Sequence, residues 1–149
     1  LDSLLDQSLL GYTTLGHRWR DLPPVEVDLE GRIALITGAT SGLGRSTAES
    51  LARLGAQLIL VGRNPEKTAR VAEAIIRASG NSKVRTEIAD LSLMAEVGPL
   101  HKVSKPDHLL VNNAGGTPPT PVLQLTDEAF EAAFHFNVTT ALNLSRQVI

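Results

Sequence analysis

Arg32-Ile33-Ala34-Leu35-Ile36-Thr37-Gly38-Ala39-Thr40-Ser41-Gly42-Leu43-Gly44-Arg45 is the stretch from which the fold can be read. Ile33 to Ile36 form a continuous apolar run, the mark of a strand buried on both faces as parallel sheets require. The run enters a turn spaced by Gly38, Gly42 and Gly44, residues that permit tight backbone angles and close approach of a ligand. Beyond Gly44 the period changes to that of a helix, with Ala48, Leu51 and Ala52 on one face and Gly55 as a stop. A helix opening at such a turn aims its unpaired N–H groups outward, a natural seat for phosphate. The spacing G-x-x-x-G-x-G differs from the commoner G-x-G-x-x-G, and on this stretch alone a plain tight turn explains the glycines as well.

Downstream, Gln57–Gly62 reads as a second buried strand. Asn64 and Pro65 then supply an N-cap and first helical residue, and a stripe through Ala72, Ile75, Ile76 and Ser79 ends at Gly80. Lys83 to Ile88 alternates Val84, Thr86 and Ile88 with Arg85 and Glu87, as an edge strand with one wet face does. A helix around 93–103 precedes a fourth strand at His108–Asn112. A proline-bearing loop, Gly115–Leu125, leads to a last helix capped by Thr126, with Asp127 and Glu128 in its first turn. On that helix Phe130, Ala133, Phe134, Val138, Ala141 and Leu142 form the expected core stripe, with Asn137 at its centre. Ala129, Ala132, Phe136 and Thr140 make a weaker apolar face, expected to meet a partner helix. Strand and helix alternating in this way predict a doubly wound parallel α/β sheet, Rossmann-like, truncated after the fourth strand and the helix that follows it.

Residues 28–149 are read as this domain, incomplete at its carboxyl end, and 1–27 as an amino-terminal arm. Within the arm, Leu1, Leu4, Leu5 and Leu9 share a helical face opposite acidic and polar residues, a pattern that fits packing on protein better than lying on a membrane. The chain has 149 residues, a net charge of −2, no basic stripe and no apolar run near the roughly 20 residues that span a bilayer. Nucleic-acid and membrane partners are therefore not expected. Cysteine is absent, which excludes disulfides and thiolate metal sites and fits the cytoplasm. The four histidines show no metal-ligand spacing, so no metal is expected.

Ligands of such sheets lie beyond the carboxyl ends of the strands, beside the first one. All four apolar runs end there in small, polar or charged residues: Thr37–Gly44, Gly62-Arg63, Ala89-Asp90-Leu91 and Asn112-Asn113-Ala114-Gly115. With TGATSGLG at 37–44, Asp90-Leu91, NNAG at 112–115 and Asn137, the chain from about Asp28 onward resembles the short-chain dehydrogenase/reductase family.

The resemblance implies NAD(P) binding and hydride transfer between the nicotinamide and a carbonyl or alcohol substrate. Gly38, Gly42 and Gly44 would close around the pyrophosphate, Thr40 and Ser41 would meet phosphate and ribose, and Leu43 would lie near the nicotinamide end. Asp90 would bind the adenine amino group with Leu91 flanking the ring, the alternative for Asp90 being a cap for the segment after it. Asn113 would tie the fourth strand to the sheet, and Ala114 and Gly115 would line the ribose. Asn137, a buried amide in need of partners on the stripe alone, would support a catalytic proton relay. The second strand ends in Gly62-Arg63 rather than a carboxylate, which points to NADP (NADPH) over NAD. Arg45 is read as a solvated first-turn residue.

The family's catalytic Ser, Tyr and Lys lie on a fifth strand and the next helix, beyond Ile149. The lone Tyr12 precedes the nucleotide motif and has Gly16, not Lys, at the fourth position on. The expectation is therefore the cofactor-binding half of an oxidoreductase that pairs through its last helix. A non-catalytic nucleotide-binding or interaction module is the alternative.

Overall fold

A computed structural model describes residues 27–93, 96 and 109–148. The arm, Tyr12 and most of the helix expected over 93–103 lie outside the described residues. The elements are β1 (Ile33–Thr37), α1 (Gly42–Arg53), β2 (Gln57–Gly62), α2 (Pro65–Ser79), β3 (Val84–Ile88) and β4 (Leu109–Val111). A short 3-10 turn at Val122–Gln124 follows, then α3 (Asp127–Phe134) and α4 (Thr140–Val148), joined by a π-helical turn at His135–Thr139.

The strands form one parallel sheet in the order β3-β2-β1-β4. β1 is flanked by β2 in the register Ile36↔Leu60 and by β4 in the register Ile36↔Val111. The chain winds outward from β1 through β2 to β3, then crosses back to β4. The switch point therefore falls between β1 and β4.

The continuous apolar strands are explained by two cores. Ala34, Ile36, Leu58 and Leu60 point to one face, where Ala48 and Ala52 of α1 and Val71, Ala72 and Ile75 of α2 cover them. Leu35, Ile59 and Val61 point to the other, against Ala89, Leu91 and Leu144 of α4. Period-2 strands with both faces covered must be apolar along their length, and Ile33–Ile36 of β1 and Leu58–Val61 of β2 are. β3 lies at one edge of the sheet, as its alternation predicted; the pattern holds through Thr86 and lapses at Glu87, which is half-buried, and Ile88, which is exposed.

The amino-terminal caps differ. Asn64 Oδ1 accepts the Lys67 N–H at 2.8 Å with Pro65 in the first turn, so α2 is closed by its own cap. Ser41, at the same position of α1, makes no side-chain cap bond, and the first turn of α1 holds no acidic residue. Thr126 caps α3 as expected, its hydroxyl accepting the Ala129 N–H at 3.2 Å.

The last helix departs from the sequence reading. Phe136, Thr140 and Leu144 face the sheet, whereas Phe130, Phe134, Val138 and Leu142, expected in the core, are exposed. The expected stripe is exposed both before and after the π turn, while Phe136, Thr140 and Leu144, spaced four apart, meet the sheet. Two apolar stripes run along this segment, and periodicity alone does not tell which one is covered. The face assigned to a partner helix through Phe136 and Thr140 is thus the inner one.

Candidate nucleotide-binding site

At the switch point the end of β1 is bound to the end of β4 through two side chains. The Thr37 hydroxyl donates to the Val111 carbonyl at 3.3 Å and accepts the N–H groups of Asn113 and Ala114, each at 3.0 Å. Asn113 Nδ2 returns two bonds, to the Thr37 and Gly38 carbonyls, both at 3.2 Å. Buried polar groups of this kind are costly unless paired, and here each is paired. Asn113 thus ties the fourth strand to the centre of the sheet. Thr37, the only polar residue of β1, was not singled out from the sequence. A lone hydroxyl closing an otherwise apolar strand is the signal for it.

The three glycines of the turn divide their work. Gly38 has φ +63° and a side chain there would lie 2.9 Å from Asn113 Nδ2. A side chain at Gly44 would strike the same Asn113 nitrogen and approach the Gly38 carbonyl to 2.6 Å. Both glycines therefore serve contacts within the protein. Gly42, at φ +52°, faces open space, with no atom within 4 Å of where a Cβ would stand. The space above the uncapped first turn of α1 is thus clear. Open N–H groups, a clear approach and no carboxylate nearby on the helix suit a phosphate or pyrophosphate. Thr40 packs its methyl toward Gly62, Ser41 stands at the mouth of α1, and Leu43 projects outward at 81% exposure. Arg45 is turned along α1 to Glu49 at 2.9 Å and is not aimed at the turn.

Beyond β2, Arg63 is exposed and makes no ion pair with the described residues. Beyond β3, Asp90 Oδ1 accepts both the hydroxyl of Ser92 (2.7 Å) and its N–H (3.0 Å). The Asp90 N–H is held by the Glu96 carboxylate. The hydroxyl and N–H of Ser92, with the Arg63 charge a lesser contributor, hold the Asp90 carboxyl below its ordinary value. Because ionisation is favoured in the folded state, its stabilisation is complete above the ordinary aspartate range and fades as the pH falls through the lowered value. Asp90 therefore does shape its local turn. Leu91, expected beside a ligand's ring, has its side chain buried in the core.

On the π turn, Asn137 is exposed rather than buried as the stripe predicts, yet both ends of its amide are engaged: Oδ1 accepts the Gly116 N–H at 2.8 Å, and Nδ2 donates to the Ala133 carbonyl at 2.8 Å. That carbonyl would take the backbone N–H of residue 137 in a regular α-helix, so the side chain supplies a bond within the widened turn. A side chain at Gly115 would lie 2.7 Å from Asn137 Oδ1. The fold thus brings Gly38, Thr40, Ser41, Gly42, Leu43, Gly44, Asn113, Ala114, Gly115 and Asn137 to one rim, with Arg63 and Asp90 beyond the neighbouring strand ends. A depression of about 600 Å³ at the opposite ends of the strands is lined by Asp28, Glu30, Arg53, Asn81 and Lys83. Its polar groups are largely engaged with one another, Lys83 with Glu30 at 3.3 Å among them, so it does not compete as the site. Among the described residues no cluster of His, Asp and Glu has the makings of a metal site, and no helix is long and apolar enough to cross a membrane.

Residues 32–149 match the family model for short chain dehydrogenase. The chain belongs to the short-chain dehydrogenase family. Within that family it is 36% identical over 123 residues to 2,3-dihydro-2,3-dihydroxybenzoate dehydrogenase of Bacillus subtilis, covering 80% of this chain and 47% of that protein. Human polyprenol dehydrogenase is 40% identical over 98 residues, covering 63% and 30% respectively. Among solved short-chain dehydrogenases, one from Sphingobium yanoikuyae in complex with NADPH superposes with a TM-score of 0.70 at 32% identity, over 78% of this chain and 47% of that one. L-Sorbose reductase from Gluconobacter frateurii, complexed with NADPH and L-sorbose, gives 0.72 at 25% identity, over 82% and 48%. The chain thus spans about half the length of such short-chain dehydrogenases, and the span holds the Rossmann-like nucleotide-binding fold.

Proposed function

We propose that this chain is the cofactor-binding part of an NADP(H)-dependent oxidoreductase acting on a small carbonyl or alcohol substrate. The observation that carries the reading is the uncapped amino terminus of α1 beneath the open space at Gly42, set at the sheet's switch point. There the backbone around Gly38, Gly42 and Gly44 receives the pyrophosphate, and Thr40 and Ser41 offer hydroxyls to phosphate and ribose. Leu43 lies beside the nicotinamide end, and Ala114 and Gly115 line its ribose. Asp90 meets the adenine amino group, with Leu91 contributing through its main chain, since its side chain is buried. A nicotinamide held there would supply hydride transfer to or from the substrate. Asn137 holds the Gly116 loop and stands where an ordered water in a proton relay could be fixed. Assembly into a homo-oligomer through the last helix belongs to the same reading.

Preference for NADP(H) rests on the end of β2. No carboxylate follows the strand to repel a 2′-phosphate, and Arg63 is exposed with its guanidinium available to bind one bidentately. A charged hydrogen-bonded contact is worth roughly 1.5–3 kcal/mol, so NADPH should bind the complete protein about ten- to a hundredfold more tightly than NADH. Arg63→Asp should remove most of that gap by deleting the attraction and adding repulsion. Calorimetric titration of both nucleotides tests it, and equal affinity for the two in the unmodified protein would sink the NADP assignment.

A further inference from the structure

The turn after β3 is shaped locally but positioned from a distance. Asp90 to Ser92, Glu96 to Asp90 and the Leu93 N–H to the Asp90 carbonyl (3.0 Å) all close within six residues. They fix the form of the turn without fixing where it sits. Besides the packing of the Leu91 side chain in the core, one side-chain hydrogen bond from elsewhere among the described residues reaches it: the Thr140 hydroxyl donates to the Leu91 carbonyl at 3.0 Å, across 49 positions of sequence. Thr140 is 3% exposed, so this hydroxyl has no water to fall back on. The same residue closes the π turn, its backbone N–H bonding to the His135 carbonyl in the i→i+5 pattern. Its hydroxyl also lies 3.3 Å from that carbonyl.

We infer that Thr140 is a positioning residue that sets the Asp90–Leu91 turn, and with it the adenine end of the nucleotide groove, against the helix bearing Asn137. The inference rests on the nucleotide-binding reading above. Two ends of one groove are thereby referred to a single wide helical turn. Asn137 holds the loop at Gly116 from within that turn, and Thr140 holds the loop at Leu91 from its last bond. The N–H bond that closes the π turn survives any substitution but proline, whereas loss of the hydroxyl removes its 3.0 Å bond to Leu91 and, within the π turn, only the longer 3.3 Å bond to the His135 carbonyl that the N–H already engages.

Thr140→Val keeps the shape and removes the hydroxyl, leaving the Leu91 carbonyl buried without this donor. In the complete protein it should weaken NADPH binding by about five- to tenfold, while kcat at saturating NADPH changes less than about twofold. Thr140→Ser should restore binding. Amide hydrogen exchange across residues 90–93, measured without nucleotide, should speed up in Thr140→Val and return in Thr140→Ser. A merely structural loss would instead lower kcat and stability together and spare this split. Unchanged NADPH affinity in a folded Thr140→Val protein overturns the inference and leaves the site reading intact, as does unchanged exchange at 90–93. If the unmodified protein binds neither NADPH nor NADH, the site reading falls, and the positioning role falls with it.

Discussion

Asn113 is the residue on which the candidate site is assembled. Its amide bonds the carbonyls of Thr37 and Gly38, and the glycines at 38 and 44 exist to admit it. Gly44→Ala places two preferences in opposition. Alanine is the better helix former by about 1 kcal/mol. The added methyl, however, meets Asn113 Nδ2 on one side and the Gly38 carbonyl on the other. A backbone carbonyl cannot swing aside as a flexible side chain can, and overpacking of this kind costs about 1–3 kcal/mol. The clash should win. Gly44→Ala is expected to lower the thermal midpoint of the complete protein by several degrees and to weaken NADPH binding. A midpoint raised by the substitution would mean that Asn113 yields freely and does not organise the turn.

At the scale of elements, α1 and α2 begin alike in sequence, with Ser41 and Asn64 as good cap residues, yet only Asn64 caps. The difference separates a helix start that serves the fold from one held open for a ligand. Asn64→Ala should cost about 1 kcal/mol of stability and leave nucleotide binding alone. Ser41→Ala should change stability by less than about 0.5 kcal/mol while loosening NADPH binding. Chemical denaturation paired with nucleotide titration checks both, and a Ser41→Ala protein as destabilised as Asn64→Ala would mean that Ser41 caps after all. These elements were legible because short-range rules govern them: apolar runs for β1 and β2, the Asn64-Pro65 start, the stops at Gly55 and Gly80, the alternation of β3. The π turn was not legible. Nothing in the composition of His135–Thr139 announces an extra residue in a helical turn, and of the two apolar stripes on this segment the more apolar one is the exposed one. Thr140 was therefore assigned to the wrong face and its bond to Leu91 missed. Leu91 itself was placed by motif, and the burial of its side chain is a property of the opposite core, which no local pattern carries.

At the scale of the whole molecule, the inverted helix relocates the surface available for assembly. Phe130 and Phe134 are 59% and 53% exposed, and Val138 and Leu142 continue their line along α3, the π turn and α4. Four large apolar side chains in a row on one helix form a patch that soluble surfaces usually cover. A twofold pairing, in which this helix meets its own copy, would bury the same stripe on both partners and needs no second surface. Phe136, the residue first read as the contact, packs against the core beside Leu144 and is unsuited to that role. The two phenylalanines should therefore respond differently to a charge. Phe134→Glu in the complete protein should keep a cooperative unfolding transition and shift sedimentation toward the monomer. Phe136→Glu should instead lower stability by several kcal/mol, since an unpaired carboxylate would be driven against apolar neighbours. Should Phe134→Glu leave the sedimentation profile unchanged, the stripe is covered by another part of the same polypeptide and the proposed pairing through this helix is wrong.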